Sequence, residues 1–358
     1  MSGQSSVDVV IAVHQQERPV ERAVSSVLSD APAGTRVVLV CHNLPTDAVR
    51  RRLPDEVMDR VDLVSLVDGV ASAAGPFNTG LARSQATYVS IMGSDDFLRP
   101  GAIAEWVAIA DAAEAPAVMA RIEHQKGGLV RTPPTRLGRR TTHLDFARDR
   151  LAYRTAPLGL VRRSVLRGLD LHLEPGLATG EDLAFGLQLW TVPGVVYAKA
   201  APAYVVGSDA VQRVTMTPRP VSADLECCTR LVDSAWFEAL PAAQRLAVVV
   251  KLLRVHVFGA IANRHVLDAW EPSERAALAT FAGRILAGAP SAKGRLSLAE
   301  DRLLAAALEP RSPDSLLRDR SARRLRHGQW DTVVTRSPHL VLAAQSPARL
   351  MAASALMR

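Results

Sequence analysis

The chain has little cysteine, few aromatic residues and no long uninterrupted apolar run. Its three cysteines, Cys41, Cys227 and Cys228, cannot build a disulfide framework, and the two adjacent ones are poorly placed to join each other. No CxxC motif or Cys/His cluster with zinc spacing occurs, so structural zinc is not expected. Met1–Asp8 is short and polar, without the basic segment and apolar run of a secretory signal. No stretch reaches the roughly 18 apolar residues of a membrane span. Arg245–Ala262 comes nearest, and Lys251, Arg254 and His256 interrupt it. These absences lead us to expect a reducing, cytoplasmic location. The basic residues lack interleaved aromatics, which argues against nucleic acid as a partner. The N-terminus also lacks the Gly-rich, Lys-bearing loop of a nucleotidyltransferase.

What is present suffices for a sizeable core. Of 358 residues, 48% are hydrophobic and 22% charged, which excludes a disordered chain and, at roughly 100–200 residues per domain, predicts about two domains. The formal charge is +7, and almost all of the basic residues are arginine. A basic balance favours anionic surroundings such as a nucleotide diphosphate or anionic lipid.

The first hundred residues alternate between strand and helix signals. Val7–Val13, Arg36–Cys41, Val61–Val67 and Tyr88–Met92 read as buried strands. Val20–Leu28, Ala71–Ala86 and Pro100–Ala113 read as helices between or after them. Such alternation predicts βαβ units and a mainly parallel sheet, whose ligands bind beyond the carboxyl ends of the strands. Gly127–Arg140 reads as an exposed loop, and Val195–Ala198 and Ala203–Val206 as edge strands. From about Pro218 the pattern turns to long Ala/Leu/Arg-rich helices. We therefore expect an α/β domain over residues 1–217 and a helical domain over residues 218–358.

Two acidic pairs stand out. Asp95-Asp96 directly follows a strand, and adjacent carboxylates there repel unless a cation or hydrogen-bond donors lie between them. A divalent ion on a diphosphate meets that need; capping of the helix near Pro100 is the plainer alternative. Glu181-Asp182 follows a glycine and opens an apolar helix. It suits either a favourable interaction with the helix dipole or a general base that takes a proton from a hydroxyl.

Three blocks in order carry a resemblance: VDVVIAVHQQERPVERAVSSVL, GPFNTGLARSQATYVSIMGSDDFLRPGAI and LGLVRRSVLRGLDLHLEPGLATGEDLAFGLQLW. Together they resemble a bacterial family 2 glycosyltransferase with the GT-A fold, over most of residues 7–215. The resemblance implies a Rossmann-like, mainly parallel α/β sheet followed by an α-helical C-terminal region. It implies inverting transfer from a nucleotide-diphosphate sugar, a UDP-sugar first among them, to a glycan or lipid-linked hydroxyl in cell-surface polysaccharide synthesis. Asp95 and Asp96 would hold Mg2+ or Mn2+, Asp182 would be the base and Glu181 would act beside it. His14, Asp68, Asn78, Gly80 and Arg213 would contact the donor, the asparagine and glycine from the N-terminus of their helix. Asp209 stands as a further candidate ligand. Contact with the inner face of the membrane through the basic cluster Arg311–Arg326, and a homo-oligomer, are compatible with this reading.

Three positions depart from the family pattern. Gly93 stands where the first acid of an Asp-x-Asp motif is usual, Cys41-His42-Asn43-Leu44 where Asp-Asp-Gly-Ser is usual, and Phe77 where an arginine is usual. They motivate the alternative of a non-catalytic GT-A-like module that binds a partner or glycan. Arg154, Arg162 and Arg163 are expected at the surface, and Trp190 in the core.

Overall fold

The computed structural model describes residues 6–136, 140–208, 219–264 and 270–357. The α/β part comprises β1 (Val7–Val13), α1 (Val20–Leu28), β2 (Thr35–His42), α2 (Thr46–Arg50), β3 (Val61–Leu66), α3 (Ala74–Arg83), β4 (Tyr88–Gly93), β5 (Phe97–Leu98), α4 (Ala102–Ala112), β6 (Ala117–Ala120), β7 (Ile122–His124), β8 (Gly159–Arg162), α5 (Arg163–Gly168), α6 (Leu183–Trp190), β9 (Val196–Ala198) and β10 (Tyr204–Val206). Seven strands form one sheet in the order β3-β2-β1-β4-β8-β6-β9. The first four are parallel, and β8 runs against both of its neighbours. A second sheet has the order β5-β10-β7. Of the two expected edge strands, β9 is at an edge, whereas β10 is central to this small sheet and pairs with strands far away in sequence.

Side chains on the central strands alternate between two cores, as the strand period of two requires. Val10, Val38, Val40, Val89 and Ile91 face one core, which also contains α6 and the C-terminal helices. Val9, Ile11, Val37, Leu39 and Met92 face the other, which contains α1 and α4. Both faces are covered, which is why these strands read as unbroken β-branched runs.

The remaining chain is helical: α7 (Val221–Val232), α8 (Ala235–Ala239), α9 (Ala242–Lys251), α10 (Phe258–Asn263), α11 (Pro272–Gly288), α12 (Leu298–Leu308), α13 (Asp314–Arg324), α14 (Trp330–Val333) and α15 (Pro347–Ala355). Its core is continuous with one face of the sheet. The helix is broken between α7 and α8, where Ser234 caps α8 through its side chain. A π turn, Leu252–Val257, joins α9 to α10. Ala242–Asn263 is long and apolar enough to cross a membrane, yet 67% of its most apolar window is buried inside the protein.

Helix α3 lies against β1 at Gly80, where a Cβ would collide with Val10 Cγ1. Glycine is present here for close packing. We predict that Gly80→Ala lowers stability by about 1–3 kcal/mol, although helix propensity alone would raise it by up to about 1 kcal/mol. Urea denaturation checks this, with Val10→Ala in the same chain expected to restore part of the loss. A midpoint that is unchanged or raised in Gly80→Ala refutes it.

Candidate active site

Strands β1 to β4 are adjacent and parallel, so the residues leaving them gather at one edge of the sheet. His14 follows β1, His42 ends β2, Asp68 follows β3, and Gly93–Asp96 turns out of β4. His42 is buried, and its Nε2 lies 2.8 Å from Asp68 Oδ1. The side-chain oxygen of Asn43 accepts the N–H groups of Asp68 and Gly69 at 3.1 and 3.0 Å. The Asp68 carboxyl is held below its usual pKa, first by the N–H of Val70 and then by His42. Asp68, the expected donor contact, thus stands exposed and oriented at the end of β3. His14 is also exposed; desolvation, then the charges of Arg18 and His42, lower its pKa, with Asp95 opposing. It is therefore a neutral ring at neutral pH.

The two carboxylates of the acidic turn have separate roles. Asp95 pairs with Arg18 Nη1 at 2.9 Å, and its carbonyl accepts a bond from Arg22 at 2.5 Å. Arg22 also lies over the Phe97 ring, 4.8 Å from its centroid. Asp96 faces the small sheet: Oδ2 accepts the Tyr204 hydroxyl at 2.5 Å and Oδ1 accepts the Gly207 N–H at 2.8 Å. Asp96, expected as a second ion ligand, holds the chain beyond β10 against the turn through these bonds. An ideal Cβ at Gly93 would lie 2.8 Å from Asp96 Oδ2 and 3.2 Å from Asp95 Oδ1. A third acid there would displace the two that remain. The donor set fits a hard divalent ion of the kind that takes one carboxylate and completes its shell with water and diphosphate oxygens, with Asp95 as the carboxylate. Arg18 and Arg22 add positive charge at the same turn. Sequence reasoning missed both; their only signal is a position four and eight residues after His14.

Helix α6 carries the second acidic pair. Because β8 is antiparallel to β4, the segment entering β8 lies at the edge where β4 ends. Trp190 Nε1 donates to the Arg154 carbonyl at 2.7 Å, and a Cβ on Gly186 would collide with the Thr155 carbonyl. Helix α6 is therefore anchored at the same end of the sheet as Asp95. Asp182 is the residue before α6, and its side chain makes no capping bond to the helix. Burial first, then the charge of Glu181, push its carboxyl up to about 6, while Lys251 opposes them. A carboxylate with this pKa can take up a proton near neutral pH. Glu181 fixes the approach to α6 through its carbonyl, which accepts the Glu174 N–H at 2.8 Å.

Other expectations are corrected. Asn78 and Gly80 do not open their helix, which begins at Ala74. The Asn78 amide donates to the Leu173 carbonyl and accepts the Leu173 N–H, both at 2.8 Å, so it clamps α3 to the chain leading to Glu181. Gly80 serves packing against Val10. Arg154 is buried and donates to the carbonyls of Ala120 and Thr132. Arg162 bonds the Tyr88 hydroxyl at 2.7 Å, and Arg163 the Ala86 carbonyl at 2.8 Å. Trp190 is in the core, as expected. Arg213 and Asp209 lie outside the described residues. A cavity of about 630 Å3 is lined by Glu105, Ile109, Tyr197 and Lys199 at the β9 edge, away from the four strand ends.

Comparisons with known proteins agree with this fold. The family pattern described as Glycosyl transferase family 2 matches residues 8–169. No curated protein matches the chain in sequence. Among solved structures, S. aureus TarS 1–349 in complex with UDP-GlcNAc is similar at a TM-score of 0.71 and 16% identity, covering 90% of this chain and 92% of that one. TarS 1–349 without that ligand gives a TM-score of 0.69 at 16% identity and the same coverage. The longer S. aureus TarS chain gives 0.68 at 15% identity, with 56% of it covered. The chain thus has a GT-A-like fold, and the pattern of glycosyl transferase family 2 extends over residues 8–169, a little under half of the chain.

Proposed function

We propose that the protein is an inverting glycosyltransferase that moves a sugar from a nucleotide-diphosphate donor to a hydroxyl acceptor. The observation that carries this reading is the shared edge of the sheet, where Asp95 with Arg18 stands at one side and the α6 start with Asp182 at the other. The donor's base would lie over His14 and the His42–Asp68 pair, and its diphosphate against Arg18, Arg22 and Asp95. UDP is the favoured nucleotide, in keeping with the UDP-GlcNAc named for the similar TarS structure. Mg2+ or Mn2+ bound at Asp95 would neutralise charge on the departing diphosphate.

The remaining steps fall to the protein. The acceptor O–H gives its proton to an Asp182 oxygen as the acceptor oxygen bonds to the anomeric carbon. The bond from that carbon to the diphosphate oxygen breaks on the opposite face, and its electron pair leaves with the diphosphate. The arginines at the acidic turn stabilise that charge as it develops. Inversion follows from a single in-line displacement.

We assign the acceptor to a glycan or lipid-linked hydroxyl, and the reaction to cell-surface polysaccharide synthesis at the cytoplasmic face of the membrane. Supporting this are the exposed basic residues Arg311, Arg318 and Arg326 and the exposed apolar residues Leu325 and Trp330 within residues 311–330.

Three outcomes are expected. Calorimetry with UDP and Mn2+ should give binding heat that Asp95→Ala weakens at least tenfold. Silence with UDP, GDP and every other nucleotide would support a non-catalytic module instead. Asp182→Asn should lower transfer from a nucleotide sugar by about 10²–10⁴-fold with nucleotide binding retained; full activity in that variant removes the base assignment. Because the ionised carboxyl is the active form, kcat/KM should rise with pH through about 6 and then level off. A flat profile between pH 5 and pH 8 contradicts it.

A further inference from the structure

A group of buried ionisable side chains lies between α6 and the helical region. Lys251 ends α9 and is fully buried, and its Nζ lies 2.8 Å from His256 Nε2. In an α-helix, residues five apart diverge by about 140° around the axis. The π turn over Leu252–Val257 closes i to i+5 instead, which brings Lys251 and His256 onto one side. His256, whose pKa burial lowers well below its usual value, is neutral and accepts the ammonium's proton.

The same cluster reaches the loop before Asp182. An ideal Cβ on Gly180 would lie 2.6 Å from Cys227 Sγ, so α7 packs directly under this loop. Cys227 Sγ is 3.7 Å from Cys228 Sγ. The charged and titratable groups that influence one another here are Glu181 and Asp182 from the start of α6, Cys227 and Cys228 from α7, Lys251 from α9 and His256 from the π turn. The Lys251 ammonium acts favourably on Asp182 and on both thiols. The Cys227, Cys228 and His256 ligand atoms lie within 4.8 Å of one another, but a metal ion there would sit against that ammonium. The arrangement is electrostatic.

We propose that Lys251 is a positioning residue for Asp182: the helical region, through its π turn and His256, fixes a buried ammonium beside the α7 cysteines that pack under the loop before Asp182, and this charge favours the ionised base. The inference rests on the reading of Asp182 as the base. It gives the helical region a part in the reaction, because a carboxyl beside Glu181 in a desolvated site would otherwise hold its proton. The positive end of α6 acts in the same direction.

The test follows Asp182 itself and needs no donor. In the full chain with 13C-carboxyl-labelled aspartate, the Asp182 signal is assigned by its loss in Asp182→Asn and titrated by NMR. The midpoint should be about 6, should rise by at least one unit in Lys251→Met, a tenfold gain in proton affinity, and should stay near the native value in Lys251→Arg. An unmoved midpoint in Lys251→Met overturns the proposal. Should that variant fail to fold, the interaction is read from the other side, since coupling is reciprocal. The Lys251 amine, pushed down to about 8 by burial, should titrate lower still in Asp182→Asn, and an unchanged value also overturns the proposal. Transfer activity separates the two readings. An inactive Asp182→Asn with an unmoved Asp182 midpoint in Lys251→Met removes the lysine's role alone, whereas a fully active Asp182→Asn removes the base assignment and the lysine's role with it.

Discussion

A carboxylate serves as a base only where its charge costs enough to make it want a proton and not so much that it never gives one up. At Asp182, the proposed base, that balance comes from opposing influences. Burial and Glu181 raise the proton affinity, and the Lys251 ammonium lowers it. The balance requires α6, α7 and α9 to be held in register across more than one part of the chain. Their common apolar core does this, joining Leu183, Leu187, Cys228, Val248 and Leu252 to the sheet residues Val10 and Ile91. Packing and charge placement are therefore one problem in this protein, and the helical region is part of its solution.

The acidic turn shows the same economy. Two neighbouring carboxylates would repel if both faced the crevice. The chain turns them apart, with Asp95 toward Arg18 and Asp96 toward Tyr204 and the Gly207 backbone. The second acid thereby ties the small sheet to the end of β4, and the first remains at the crevice. The small sheet, built from strands distant in sequence, fixes one wall of the site through this bond.

The sequence made the central strands legible because β1, β2 and β4 are buried on both faces and rich in β-branched residues. It did not reveal β6 and β7. Ala117–Ala120 has one β-branched residue and pairs with strands far along the chain, and β7 has only three residues. Within the site, the strand-end positions of His14, Asp68 and Asp95 followed from the βα order. The bonds of Asp96 did not, because its partners Tyr204 and Gly207 lie 108 and 111 residues away. Asn78 and Gly80 look like helix punctuation, since asparagine and glycine favour turns, and tertiary packing gives them other work. Arg154 carries a charge that normally stays at the surface, but carbonyls of Ala120 and Thr132 accept from its two Nη groups inside. The pairing of Lys251 with His256 depends on a π turn, and five-residue spacing does not announce one.

The account stands on one crevice serving both acidic motifs. A crystal structure with UDP-GlcNAc and Mn2+ soaked in tests it most directly. The account predicts diphosphate beside Asp95 and Arg18, with the sugar's anomeric carbon turned toward Asp182. Nucleotide bound in the cavity near Glu105 and Tyr197, or a sugar pointing away from the start of α6, would contradict it.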